Sequence, residues 1–151
     1  MIASRTVILQ AHTNFSNHDY FLSPPIPVNV STAVKLCNSY GGYLAEVNDK
    51  YEMKFINDFL FQESKNVGVM VGATDADVEG GWKFIHSGDV VDYFHWAGGN
   101  PTNTDNKDCM YLYTVADFEQ GGTRNGMVDD CCTCWKSQRF LCEMPRDKTA
   151  P

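Results

Sequence analysis

The sequence predicts an α+β domain: two early helices followed by many short strands in an antiparallel sheet. Three observations point there. Apolar residues recur at helical spacing in two segments before residue 63, the clearer being the stripe Phe55, Ile56, Phe59 and Leu60. After Asn66 the pattern changes to short apolar or alternating runs separated by Gly, Asp, Asn and Pro. Six cysteines offer cross-links for a chain this rich in loops. The 151 residues suit one domain, and no repeat divides them. We expect a short N-terminal segment at 1–13, the domain at 14–146 and a disordered tail at 147–151.

Tyr20-Phe21-Leu22 reads as a short strand, and the three prolines between Ser23 and Pro27 impose an extended connection. Ser31 to Tyr40 reads as a helix capped by Asn29 or Ser31 and stopped by Gly41-Gly42, with Cys37 on its inner face. Tyr43, Leu44, Ala45 and Val47 form a brief strand. Asn48 or Asp49 starts the second helix, with Glu52 in capping-box position after Asp49. Val67, Val69 and Val71 alternate with Gly68, Met70 and Gly72, as in a strand covered on both faces. A loop with Asp75, Asp77 and Glu79 follows, then strand at Trp82 to Ile85, a turn at His86 to Asp89 and an extended aromatic run at Val90 to Trp96. Cys109 to Val115 is a strand, Ala116 to Gly126 a glycine-rich excursion, Met127 to Cys134 a return to structure, and Arg139 to Met144 the last strand.

Composition removes several function classes. A net charge of −7 with no basic cluster argues against nucleic acid. No apolar run approaches the length of a membrane span, and the patch at Val7-Ile8-Leu9 is too short for a signal peptide. An even cysteine count favours disulfides and an oxidising, extracellular setting over a zinc cluster, because paired knuckle spacings are missing. The sequons at Asn14 and Asn29 agree with secretion. No Ser/His/Asp order and no phosphate-cradling glycine loop is present, and the Cys131-Cys132-x-Cys134 run lacks the helix-capping context of a reactive thiol, so we expect no enzyme.

The stretch Trp96 to Cys109, WAGGNPTNTDNKDC, is dense in turn formers and in amide and carboxylate oxygens. Anchored by a tryptophan and a cysteine, such a loop can present the oxygens that a hard cation such as calcium requires.

These residues resemble the C-type lectin domain family from about Tyr20 to Met144. Ala33-x3-Cys37-x3-Gly41-Gly42-x-Leu44-Ala45 is similar to the family's first-helix cysteine and GGxLA turn. Val69 to Ala73 stands where the family has its WIGL-like strand, and Thr74-Asp75-x3-Glu79-Gly80-x-Trp82 resembles TDxxxEGxW. Asn100-Pro101-Thr102 occupies the slot of the E-P-N or Q-P-D tripeptide, Asp108-Cys109 the acidic-residue-then-cysteine pair, and Phe140 to Glu143 the closing FICE.

The resemblance implies a C-type lectin-like fold with two helices, antiparallel sheets and a long loop region closed by disulfides. It implies a Cys37–Cys142 bond and, from the family's spacing between its last two cysteines, Cys109–Cys134. That leaves Cys131 and Cys132 for a vicinal bond or a link between two chains in a homo-oligomer, in preference to free thiols. It also implies calcium. Asp75, Glu79, Asn103 and Asp108 match one metal-ligand set. Asn100, Asp129 and Asp130 are candidates for a second ion, with Asn100, Thr102, Asp129 and Asp130 as carbohydrate contacts. Vicinal sugar hydroxyls can replace waters on calcium while hydrogen-bonding its carboxylate and amide ligands. Thr102 and Lys107 depart from the family pattern at this second position. The expected function is a secreted calcium-dependent lectin whose partner is a glycan. The alternative is a lectin-like domain that binds a protein or mineral without sugar.

Overall fold

The computed structural model describes residues 11–63, 68–104, 106–114, 125–133 and 139–145. Residues 116–124 of the expected excursion, residue Cys134 and the tail 147–151 lie outside them, while Gly126, expected to end the excursion, opens a strand.

Helix α1 spans Val30–Ser39 and α2 spans Lys50–Glu63. Asn29, rather than Ser31, caps α1: its side chain accepts the Thr32 N–H at 2.9 Å. The buried face of α1 carries Val30, Ala33 and Cys37. In α2, Asp49 Oδ1 accepts the Glu52 N–H at 2.8 Å. The Glu52 carboxylate reaches back to the Asn48 N–H, also at 2.8 Å, one residue beyond the usual capping-box partner. Ile56 and Leu60 are fully buried, while Phe55 and Phe59 pack half-buried against the same cluster.

The strands are β1 (Ala11–Phe15), β2 (His18–Leu22), β3 (Tyr43–Leu44), β4 (Val69–Thr74), β5 (Lys83–Phe84), β6 (Cys109–Tyr113), β7 (Gly126–Asp130) and β8 (Arg139–Pro145). β1 runs across the expected boundary at residue 13. The main order is β1-β2-β8-β4-β6-β7, with β3 on β8 and β5 on β4. The pairings are antiparallel except β4–β8, which is parallel. The sheet is therefore mixed: β8 lies between β2 and β4, antiparallel to the first and parallel to the second. The β3 strand is shorter than expected. Ala45 leaves the ladder, yet its N–H reaches the Leu141 carbonyl at 3.0 Å and its carbonyl takes the Gly72 N–H at 2.8 Å.

The two faces of β4 serve two apolar clusters. Val69, Val71 and Ala73 join Tyr20, Leu22, Ile56 and Leu60 beneath α2. Met70 joins Val30, Ala33, Tyr111 and Phe140 beneath α1. This is the period-two alternation of a strand covered on both sides.

Cys37–Cys142 ties α1 to β8 across 105 residues, as expected. The second bond corrects the expected pairing: Cys109 joins Cys132, not Cys134. The reason is register. The β6–β7 ladder sets Cys109 opposite Asp130, and Cys132 follows two residues later. The Tyr111 hydroxyl then donates to the Cys131 carbonyl at 2.9 Å, curling the chain back over β6 and leaving the Cys109 and Cys132 Cα atoms 5.2 Å apart. A vicinal Cys131–Cys132 bond is thereby excluded, and so is Cys132 as a link between chains. Cys131 is itself disulfide-bonded, with its partner outside the described residues, and no described cysteine is free.

Candidate functional site

The β4–β6 pairing builds one end of the site. Its register sets Thr74 opposite Cys109, so the next residues out, Asp75 and Asp108, face each other. Two bonds fix them there: the Asp75 N–H and the Thr74 hydroxyl both donate to the Asp108 carbonyl, at 3.1 and 2.7 Å. Asp75 Oδ2 accepts the Gly80 N–H at 2.9 Å, which closes the turn carrying Glu79. Gly80 sits at φ +81°, a conformation that favours glycine.

Asp75, Glu79 and Asp108 thus converge, each offering an oxygen within 4.8 Å of the others. Among the described residues they form the one such acidic, histidine or cysteine group. Two oxygens bound to one calcium at about 2.4 Å each stand at most about 4.8 Å apart, so the spacing suits that ion. Asp75 is 2% exposed, and its Oδ1 is buried without a hydrogen-bond donor. A buried carboxylate oxygen left in this state is costly, and a cation would relieve it. By this test the three residues fit calcium.

The loop forms the other end. Its base is fastened to β7 by backbone bonds from Ala97 N–H to the Met127 carbonyl (2.9 Å) and from Met127 N–H to the His95 carbonyl (2.8 Å). Gly126 permits this approach: a Cβ there would stand 2.5 Å from the His95 carbonyl oxygen. The Asn100–Pro101 peptide is cis. Beyond it, Thr102 and Asn103 hydrogen-bond through three donors to the Asp129 carboxylate.

The predicted residues therefore fall into separate groups. Asp75, Glu79 and Asp108 meet. Thr102 and Asn103 meet Asp129, Asn103 through its backbone N–H. The Asn100 amide donates to the Gly98 carbonyl at 3.3 Å. Asp129 and Asp130 are neighbours on β7 and face opposite sides. Asp129 lies across from Met110, of the cluster beneath α2, and is 3% exposed. Asp130 lies across from Cys109, on the side of Tyr111. Burial pushes the Tyr111 phenol well above its usual range, and the Asp130 charge adds to that rise. Thr74 and Gly80, both part of the TDxxxEGxW-like stretch, support the acidic group, and Gly126, expected to end the excursion, supports the loop base instead. Strand alternation was the signal that separates Asp129 from Asp130.

The chain is similar to known proteins in sequence and in fold. The family profile "Lectin C-type domain" matches residues 26–144. A perlucin-like protein of Mytilus galloprovincialis is 30% identical over 106 residues, covering 70% of this chain and 67% of the relative. Lectin BRA-3 of Megabalanus rosa is 32% identical over 105 residues, covering 70% of this chain and 57% of the relative, so the chain spans little more than half of that protein's length. The mouse scavenger receptor C-type lectin carbohydrate-recognition domain superposes with a TM-score of 0.74 at 24% identity, covering 92% of this chain and 97% of that one.

Proposed function

The chain belongs to the C-type lectin domain family, and from that premise we propose that it is a secreted, calcium-dependent carbohydrate-binding domain. The family is one of lectins and carbohydrate-recognition domains, so the chain is a binding domain and not an enzyme. The observation that carries the calcium reading is the convergence of carboxylate oxygens from Asp75, Glu79 and Asp108, at a residue whose Oδ1 is buried without a donor. Calcium there would neutralise three converging carboxylates and pin the Asp108 end of the loop. On this reading the polar turn at Asn100 and Thr102 meets the sugar, with Asp129 behind it. Secretion is supported by the paired cysteines, and among the described residues no helix is long and apolar enough to cross a membrane.

Two measurements test this. In calcium at a hundredfold excess over its dissociation constant, binding linkage stabilises the fold by about 2.7 kcal/mol. That raises the melting temperature by roughly 5–10 °C for a chain of this size. Asp75→Asn should remove the rise, and an unchanged melting curve in the parent protein would refute the calcium site. A glycan array run in calcium and again in EDTA should show binding that depends on the ion.

A second reading is a protein or mineral partner without sugar. It is favoured by the Asp129 carboxylate, whose two oxygens are already taken up by the loop's own donors. A calcium-dependent melting shift with no glycan bound would select it.

A further inference from the structure

Asp129 Oδ1 accepts the Thr102 N–H at 2.8 Å, and Oδ2 accepts the Thr102 hydroxyl at 2.8 Å and the Asn103 N–H at 3.0 Å. A carboxylate has about four lone-pair positions, so most of this one's capacity is used within the chain. The geometry also disfavours a cation. Two successive backbone N–H groups point at one anion, with Asn103 at φ 55°. Such a concave pair of amides attracts negative charge and opposes positive charge. A cation on this carboxylate would have to displace the Thr102 hydroxyl or face two N–H dipoles.

Among the described residues, neither Asp129 nor Asp130 joins a group of metal-ligating carboxylates. The Asn100 amide is turned to the Gly98 carbonyl. Asp130 faces the other side of β7, where its Oδ1 accepts the Cys131 N–H at 2.8 Å. The residues at this position therefore do not fit calcium, in contrast to Asp75, Glu79 and Asp108.

We propose that Thr102, Asn103 and Asp129 form a metal-independent lock that stands in place of a second ion. The turn at residues 100–103 holds its shape without metal, and the chain binds one calcium, at Asp75, Glu79 and Asp108. Thr102 and Asp129 are positioning residues: they present the turn to its ligand and do not ligate a cation. The count of one ion rests on the calcium reading above; the lock itself does not.

The test combines calcium titration of the whole, disulfide-intact chain by calorimetry with hydrogen exchange at the Thr102 and Asn103 amides. One ion per chain is expected, with both amides equally slow in EDTA and in calcium. Asp129→Asn and Thr102→Val should leave calcium affinity unchanged while speeding exchange at these amides by about tenfold or more, the scale of a lost hydrogen bond to a charged group. Two ions in the parent chain, loss of calcium affinity in Asp129→Asn, or amides protected only in calcium would each overturn the lock. No ion at all would overturn the carboxylate-trio reading, and slow amides in EDTA would then still support the lock. Thr102→Val exchanges only a hydroxyl for a methyl, so it keeps the test decisive if Asp129→Asn does not fold.

Discussion

Glu143 shows what a single buried carboxylate does to this fold. It is 2% exposed and pairs with His18 on β2. Its other oxygen takes the Glu46 N–H at 2.9 Å. Burial pushes its carboxyl above the usual range; the Glu46 N–H and His18 oppose that rise, and the nearby Glu52 charge adds to it. The Tyr20 and Tyr43 phenols lie close by and are held neutral, mainly by burial. A glutamate raised in the fold costs stability while ionised and gives it back on protonation. The Glu143 contribution should therefore grow as pH falls from neutral toward about 4.3, the ordinary glutamate value. Urea unfolding of the parent and of Glu143→Gln across that window checks the sign: the variant should lose this part of the slope. Residue identity was legible in the sequence where a motif fixes spacing, as at Asp75, Glu79 and Asp108. It was not legible for Asp129 against Asp130, because a one-residue shift on a strand exchanges the two faces.

The β6–β7 hairpin is where element-level reading ran out. The strands themselves follow from their apolar runs, but the partner of Cys109 depends on register, which cysteine spacing alone does not encode. Cys131-Cys132-x-Cys134 offered three candidates within four residues, and the ladder selected the middle one. The same hairpin carries Gly126, at φ +138° and tight against the 95–97 backbone. Gly126→Ala should destabilise the domain by about 1–3 kcal/mol through overpacking against atoms that cannot turn aside. Equilibrium urea unfolding measures this, and a loss within about 0.5 kcal/mol, the range of an ordinary surface change, would contradict it.

Across the whole molecule, the α+β class, both helices and the strands at Tyr20–Leu22, Val69–Thr74, Cys109–Tyr113 and Arg139–Pro145 were legible from periodicity and turn residues. The one parallel pairing was not, because nothing local to β4 or β8 states which neighbour each will meet. Cys37–Cys142 closes most of the chain, and its removal by Cys37→Ala with Cys142→Ala should cost about 2–5 kcal/mol. Chemical denaturation under non-reducing conditions would show that loss. Because Cys132 is bonded to Cys109 and Cys131 is also engaged, the protein should migrate as a monomer on non-reducing electrophoresis. A reducible dimer band would contradict this.

The position of β8 has a consequence for biosynthesis. The last strand in sequence among the described residues, β8, pairs with β2, β3 and β4, at the middle of the sheet. Until a ribosome has released residues 139–145, the nascent polypeptide holds two half-sheets with raw edges and nothing between them. Products of premature termination upstream of Arg139 should therefore be recovered as aggregates, not as trimmed binders.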